Sequence, residues 1–294
     1  MSDVSEVEIL RLSAFPAAPG GGNPAGVVLD ARGLDEARMQ RIAAEVGYSE
    51  TVFAVDPVVH GDARHVRVRY FSPTAEVPFC GHATIALSVA LAERLGTGPF
   101  RFATPAGEVE IATAPGSVAP EASFTSVEPS VRELPADAAR ELLDLLGVAR
   151  DDLDPRWPLL EAFAGNAHPV VALRSGDVFD GLAFDPGALR ALMDRAGWPG
   201  TVTVVRFPDG DSDDSGEARV EARNLFPVGE ITEDPATGSA AAALGAYVRE
   251  LRGASAPARL VVDQGRHVGR PSVLTVDIPP RGGITVSGTA LPIG

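Results

Sequence analysis

The sequence predicts an α+β protein made of two similar domains. The chain has 294 residues, which is near the size at which one hydrophobic core gives way to two. Segments with β-strand patterns outnumber helical ones and do not alternate with them regularly, which argues against a doubly wound parallel sheet. Short patterns in the first half also recur, in the same order, in the second half.

The elements follow from hydrophobic periodicity. In the first half, apolar or alternating runs predict strands and 3.6-residue periodicity predicts helices at 34–46 and 82–95. The predicted strands are 7–15, 25–29, 50–55, 65–71, 108–114 and 122–127. In the second half one helix is predicted at about 237–252. Its strands are 168–174, 201–207, 218–226, 260–265, 272–278 and 283–288.

An acidic, glycine-containing stretch separates Phe207 from Ala218. Because it lies between two predicted strands, it predicts a solvated hairpin loop. A calcium site is the alternative, but the ligand spacing of a helix-loop-helix calcium loop is missing.

Self-similarity supports a duplicated domain. Residues 22–29 resemble 165–173, and 69–73 resemble 223–227. The offset between paired positions grows slowly, from 143 residues at Asn23 and Asn166 to 157 at Gly81 and Gly238. Small insertions in a duplicated unit would give this drift, whereas chance matches among glycine, alanine and proline are the alternative.

Composition restricts the partners. With 40 acidic and 25 basic residues the net charge is −15, which disfavours nucleic acid and anionic membrane surfaces as partners. The apolar runs are too short to span a membrane, and residues 1–10 do not resemble a secretory signal, so we expect a cytoplasmic protein. The single cysteine, Cys80, excludes an internal disulfide and a multi-cysteine metal site.

The stretch DPATGSAAAA, residues 234–243, predicts a helix start that binds an anion. Asp, Thr and Ser are N-cap residue types, and the amides of a first helical turn are free to bind a carboxylate. Gly81 opens a similar alanine-rich helix in the first half. If the halves pack face to face, both helix starts point into one cleft, where Thr237, Ser239 and His82 add donors. The alanines themselves indicate close core packing.

Glu50 is a candidate acid/base in the segment Ser49-Glu50-Thr51. A glutamate at the start of a half-buried strand is commonly a solvated edge residue. If it faces the cleft instead, burial favours its protonated form, as a general acid/base needs. The sequence leaves both interpretations open.

Cys80 and His82 suggest a nucleophile with its base. Two residues apart on a helix, however, they are expected to point to different faces. A thiolate at a helix start is chemically reasonable, and an inert packed cysteine is the alternative. For His82, the alternative to a catalytic role is a purely structural one.

These segments together resemble the phenazine-biosynthesis PhzF-like family, which has the diaminopimelate-epimerase fold. The matching motifs are GNPAGVVL, SETVF, RYFSPTAEVPFCGHATIAL, EDPATGSAAAAL, QGRHVGRPS and VSGT, from residue 22 to residue 289. The resemblance implies two pseudo-symmetric domains, each a mixed β-sheet curled around a central helix, with the active site in the cleft between them. We expect residues 1–118 plus 280–294 to form the first domain and 119–279 the second. The resemblance further implies that the protein uses no cofactor and no metal and that it forms a homodimer.

The resemblance also assigns roles. In the family's isomerases the glutamate of this motif, here Glu50, moves a proton between carbons of a small anionic dihydro-hydroxyanthranilate-type substrate, assisted by His82 and Asp234. Gly81, Gly238 and Ser239 match positions that hold the substrate carboxylate. Thr237 and Cys80 complete the expected substrate-binding set.

One departure separates this chain from amino-acid epimerases of the same fold, which use two cysteines. The counterpart of Cys80 reads Pro235-Ala236-Thr237, so a two-thiol racemase is excluded. A racemase using Cys80 with Glu50 or Asp234 stays open, as does a non-catalytic protein that binds small molecules on the same fold.

Overall fold

The structure is a computed structural model that describes residues 7–208, 217–228 and 231–294. The chain divides into two compact units, Met1–Thr125 with Ser287–Gly294, and Ser126–Val286. The predicted domain limits lie within a few residues of these and stay a prediction. The predicted acidic loop falls on residues 209–216 and lies outside the described residues.

The first unit contains two helices and most of the strands of one mixed sheet. The helices are α1 (Glu36–Val46) and α2 (Gly81–Leu95). The strands are β1 (Leu10–Ala14), β2 (Asn23–Val28), β3 (Glu50–Asp56), β4 (His65–Phe71), β5 (Glu76–Val77), β6 (Gly98–Thr104), β7 (Gly107–Ala114) and β8 (Glu121–Thr125).

Two strand pairs of this sheet are parallel, β2 with β3 and β4 with β6. The other pairs are antiparallel. The strands of the sheet lie in the order β1, β2, β3, β4, β6, β7, β8, and the short β5 pairs with β4. The chain's last strand, β17 (Thr285–Pro292), pairs with β1, Leu12 opposite Pro292. The extreme C-terminus therefore completes the sheet of the first unit.

The sheet surrounds α2. Every residue of this helix from His82 to Ala92 is buried, and the helix packs on β1, β2, β3, β7 and β8. A helix buried on all sides needs small or apolar side chains around its whole circumference. The alanines, Ser88 and Thr84 meet that need; the two hydroxyls donate to carbonyls one turn back, so their burial leaves no donor unpaired.

The second unit repeats the arrangement with extra helices. Its helices are α3 (Ala136–Leu146), α4 (Gly176–Gly181), α5 (Pro186–Ala196) and α6 (Gly238–Arg252). Its strands are β9 (Ser130–Glu133), β10 (Leu160–Phe163), β11 (Ala167–Ala172), β12 (Val202–Arg206), β13 (Glu217–Val228), β14 (Ile231–Asp234), β15 (Arg259–Gln264) and β16 (Ser272–Asp277).

The strand order in this unit is β9, β10, β11, β12, β13, β15, β16, with β14 on β13. Again two pairs are parallel, β11 with β12 and β13 with β15. Helix α6 is buried from Ala240 to Val248 and packs on β9, β10, β11 and β16. The predicted α+β class, with a mixed sheet around a central helix in each half, is confirmed.

The sequence analysis missed the strands β5, β6, β9, β10 and β14 and the short helix α4. It also missed two longer helices, α3 and α5. Both carry a helical apolar stripe, Leu142, Leu143 and Leu146 in α3 and Leu189, Leu192 and Met193 in α5. These stripes share one hydrophobic core with Trp198. The helical spacing of these apolar residues is visible in the sequence, so α3 and α5 were predictable from it. The first strand also begins at Leu10, later than the predicted residue 7.

The turn that leads into β2 gives a stability prediction. Gly20 and Gly22 share φ = +80°, but a Cβ on Gly20 meets nothing within 4 Å, whereas a Cβ on Gly22 lies 2.6 Å from the carbonyl oxygen of Ala14. We expect Gly20→Ala to lower the free energy of unfolding by about 1 kcal/mol, the cost of a left-handed alanine. Gly22→Ala should cost about 2 kcal/mol more because backbone must also move.

Urea unfolding of both variants and the wild-type protein measures the two losses of stability. Gly20→Ala is the matched control, because it carries the cost of the left-handed conformation without the steric clash. Equal losses for the two variants would contradict the steric argument.

Candidate active site

Three chemically reactive side chains of the first unit meet at the start of α2. Glu50 is the first residue of β3, Cys80 is the N-cap of α2, and His82 lies in its first turn. Because β3 runs parallel to β2, with Ala25 opposite Glu50, the beginning of β3 is brought beside the helix that packs on both strands.

The contacts within this group are close. Glu50 Oε2 lies 3.4 Å from His82 Nε2 and 3.5 Å from Cys80 Sγ. Cys80 Sγ lies 3.3 Å from His82 Nδ1. The side chain of Glu50 is 18% exposed and that of His82 is 6% exposed. Glu50 is therefore not the solvated edge residue that was one of its two interpretations.

The expectation that Cys80 and His82 point to different faces is wrong. That geometry applies to two residues within a helix, whereas Cys80 is the N-cap and has extended backbone, φ = −141° and ψ = 115°. Its side chain leaves the chain in a direction that a helical residue does not use. The thiol therefore reaches the imidazole of His82.

Two residues that the sequence analysis did not select hold this histidine. The amide nitrogen of Asn23 lies 3.2 Å from His82 Nδ1, and Ser49 Oγ lies 3.3 Å from His82 Nε2. Asn23 is buried and begins β2. Both residues stand in motifs quoted for the family resemblance, GNPAGVVL and SETVF, so the signal was present without an assigned role.

In the second unit, the predicted residues Asp234, Thr237 and Ser239 lie around the start of α6. Thr237 Oγ1 donates to Asp234 Oδ2 over 2.5 Å. Gln264, which was not predicted, donates from Nε2 to the backbone oxygen of Asp234 over 2.6 Å and accepts from the Thr237 amide over 3.3 Å. The approach to α6 is thus fixed by a side-chain amide on β15.

Ser239 is held by a buried histidine that the sequence analysis left without a role. His168 Nδ1 accepts from the Thr201 amide over 3.0 Å, and Nε2 lies 3.2 Å from Ser239 Oγ. Burial lowers the pKa of His168 to about 4, so the imidazole is neutral at neutral pH. Nδ1 also lies 3.1 Å from the backbone oxygen of Thr201, so its contacts fit both neutral tautomers, and either group can be the donor in the contact between His168 and Ser239.

Neither central helix has a side-chain N-cap. The N-caps are Cys80 for α2 and Thr237 for α6, and neither makes a capping hydrogen bond. The first intrahelical bonds are Thr84 N to Cys80 O and Ala241 N to Thr237 O. In the described part of the chain, the amides of 81–83 and 238–240 therefore precede the first intrahelical bonds and have no side-chain cap. Anion binding by these amides stays a prediction.

The two units carry different chemistry on the same frame. Matching Gly81 to Gly238 pairs Cys80 with Thr237 and His82 with Ser239. The register of the parallel strands, Val27 with Val52 and Val170 with Thr203, pairs Glu50 with Thr201. The described first unit therefore has carboxylate, thiol and imidazole where the second has hydroxyl groups.

The chain matches the family model described as phenazine biosynthesis-like protein over residues 12–293. The Escherichia coli (strain K12) protein named "Uncharacterized isomerase YddE" is 32% identical over 297 residues, covering 97% of this chain and 95% of the relative. The trans-2,3-dihydro-3-hydroxyanthranilate isomerase of Pseudomonas fluorescens is 32% identical over 265 residues, covering 90% and 87%. A crystal structure of the Bacillus anthracis phenazine biosynthesis protein of the PhzF family aligns with a TM-score of 0.79 and 26% identity, covering 98% and 97%.

The fold is that of the diaminopimelate-epimerase-like enzymes, and the protein is an isomerase. The chain belongs to the phenazine biosynthesis-like family. Across the described residues, each helix is too short or too polar to cross a bilayer.

The buried histidine of the second unit predicts a pH dependence of stability. His168 titrates near 6.5 when unfolded and at about 4 when folded, so between these values the unfolded chain binds the extra proton. Stability is fully present above pH 6.5 and falls as the pH drops toward 4, by about 3 kcal/mol from this residue.

Urea unfolding at pH 7, 6, 5 and 4 checks this with the wild-type protein, His168→Gln, and His60→Gln as an exposed-histidine control. The His168→Gln curve should lose less stability on acidification. Parallel curves for wild type and His168→Gln would show that His168 does not resist protonation.

Proposed function

We propose that the protein is a cofactor-independent isomerase that moves a proton between two carbons of a small carboxylate, with Glu50 as the general acid/base. The observation that carries the proposal is the contact between the partly exposed Glu50 carboxylate and the buried His82 imidazole at the open start of α2. A base that abstracts a carbon-bound proton must be reachable by substrate yet shielded from bulk water.

The chemistry needs one proton acceptor and a means of stabilising charge. Glu50 takes a proton from a carbon conjugated with the substrate's carboxylate and returns it to a second carbon, so the atoms and electrons of the substrate are conserved. The charge that develops meanwhile spreads toward the carboxylate, where helix-start amides stabilise it. His82, held by Asn23 and Ser49, lies with Nε2 3.4 Å from Glu50 Oε2 and keeps the carboxylate in position.

The second unit supplies binding groups in this proposal. The amides at the start of α6 and the Ser239 hydroxyl are donors of the kind that hold a carboxylate. Asp234 is held by Thr237 and assists proton movement. We propose, following the family resemblance, that these groups face the same substrate across the cleft between the units. A dimer in the cytoplasm remains the expected form of the enzyme.

The substrate class follows from one relative. The Pseudomonas fluorescens relative named trans-2,3-dihydro-3-hydroxyanthranilate isomerase aligns over 90% of this chain. We therefore propose a small cyclic or unsaturated carboxylate of dihydro-hydroxyanthranilate type. The resemblance supports the class of molecule and leaves its substituents to experiment.

A second candidate is a one-cysteine racemase or epimerase. The 3.3 Å contact between Cys80 Sγ and His82 Nδ1 favours it, because an imidazole beside a thiol promotes the thiolate. Glu50 or Asp234 would serve as the second base. The non-catalytic alternative is not retained, since the chain is an isomerase.

Glu50→Gln should reduce enzyme-catalysed exchange of carbon-bound hydrogen by about 10²- to 10⁴-fold, because the amide cannot accept the proton. Incubation of trans-2,3-dihydro-3-hydroxyanthranilate and related carboxylates in deuterated water, followed by NMR, measures the exchange. Glu45→Gln, on the exposed face of α1, is the matched control and should retain wild-type exchange. Undiminished exchange in Glu50→Gln would rule out Glu50 as the base.

Cys80→Ser separates the two candidates. If Glu50 moves the proton, the serine variant should lose less than about tenfold in exchange rate, since the thiol only lines the site. If Cys80 is a base, the loss should reach at least about 10²-fold. The same NMR measurement with amino-acid and hydroxy-acid substrates decides between these results.

A further inference from the structure

We propose that Glu50, Cys80 and His82 form a zinc-binding site, and that zinc bound there inhibits the isomerase reversibly. The inhibitory part rests on the proposed function, because it requires these groups to serve the reaction. The binding part rests on the geometry of the cluster alone.

The spacing of the three ligand atoms fits one tetrahedral metal ion. Zinc binds cysteine sulfur at about 2.3 Å and histidine nitrogen or carboxylate oxygen at about 2.0–2.2 Å, which puts neighbouring ligand atoms of a tetrahedron about 3.4–3.6 Å apart. Here Glu50 Oε2 to His82 Nε2 is 3.4 Å, Glu50 Oε2 to Cys80 Sγ is 3.5 Å, and Cys80 Sγ to His82 Nε2 is 3.8 Å. Cys80 Sγ is nearer to His82 Nδ1, at 3.3 Å, than to Nε2. The imidazole must therefore turn about its side-chain bonds to bring the Nε2 lone pair, the thiol and the carboxylate to one ion.

The donor set selects the kind of metal. Thiolate and imidazole are ligands of zinc and other borderline transition metals, whereas calcium and magnesium take oxygen ligands. Three protein ligands leave a fourth position open to solvent or to a substrate carboxylate. The set therefore resembles an open zinc site rather than a closed structural one.

The surroundings of His82 also suit a metal ligand. A metal-bound histidine usually has a hydrogen-bond acceptor at its other ring nitrogen. The side-chain amide of Asn23 lies 3.2 Å from Nδ1, and a half rotation of that amide presents its oxygen there. His82 and Cys80 are buried, so little side-chain freedom would be lost on binding the ion.

Zinc would inhibit the reaction because the metal and the substrate proton compete for the lone pairs of the Glu50 carboxylate. The proposed base is the Glu50 carboxylate, and its Oε2 is the oxygen that contacts the thiol and the imidazole. Once this oxygen binds zinc, it cannot act as a base. Removing the metal with a chelator restores it, so the effect is reversible.

Cobalt(II) titration of the reduced full-length protein tests the binding. Cobalt occupies zinc sites, and a thiolate ligand gives it a near-ultraviolet charge-transfer absorption. Because the chain has a single cysteine, that absorption reports on Cys80 alone. We expect it to saturate at one cobalt per chain and to disappear when zinc is added.

Variants identify the other ligands. Cys80→Ser should abolish the absorption, and Glu50→Gln and His82→Gln should each weaken cobalt binding by at least about tenfold. His60→Gln, which removes an exposed histidine, is the control and should bind as the wild type does. Circular dichroism confirms that each variant is folded, and if His82→Gln is not, Glu50→Gln decides alone.

Three results would overturn the site: no charge-transfer absorption with excess cobalt, unchanged affinity in Glu50→Gln, or saturation at one metal per two chains, which would indicate thiols from two molecules.

The exchange assay tests inhibition separately. Zinc at saturation should slow exchange at least tenfold, and a chelator should restore it. Metal binding with unchanged exchange would refute the inhibition, whereas no exchange with any carboxylate would refute the proposed function and leave the cobalt result standing.

Discussion

The constraint on which this structure depends is that each central helix is buried on all sides but begins without a side-chain cap. Burial around the circumference restricts α2 and α6 to small and apolar residues, hence their alanines. The amides of the first turn then have to meet water, a ligand or another protein group, because an unpaired buried donor is costly. The sheet cannot cover a helix start whose first-turn amides have no hydrogen-bond partner. The binding position proposed at the start of each helix therefore follows from how the fold buries its core.

The duplication places the same frame in both units and lets each specialise. In the first unit, the positions around the helix start hold a carboxylate, an imidazole and a thiol, all of which exchange protons. In the second, the matching positions hold Thr201, Ser239 and Thr237, and the buried histidine next to them is kept neutral by desolvation. Groups that donate hydrogen bonds without changing charge can hold a ligand through a reaction. The division suggests why one frame was kept twice while its chemistry diverged.

Sequence periodicity was sufficient for the fold class and for both central helices, because strands and buried helices differ in the spacing and size of their apolar residues, and the repeated motifs indicated the duplication. Side-chain directions were harder. The separation of Cys80 and His82 was inferred from helix geometry, and the error arose because one of them is the cap and not in the helix. The roles of Asn23, His168 and Gln264 depend on contacts between residues at least 27 positions apart in the chain. No local pattern specifies such contacts, although two of these residues lie in repeated motifs.

The proposed acid/base site and the proposed metal site draw on the same physical arrangement. To move a proton between carbons, a carboxylate must lie close to a donor that positions it, in surroundings that limit solvent. Adding a thiol to that pair creates a set of three lone-pair donors whose separations, 3.4 to 3.8 Å, come close to the edges of a metal tetrahedron. An isomerase could avoid metal capture by replacing the cysteine, but Cys80 is also the extended N-cap that begins α2, where a small residue with little demand for hydrogen bonds leaves the first-turn amides open. In these two proposals, the residue that leaves the anion-binding position available is also the one that makes the site sensitive to zinc.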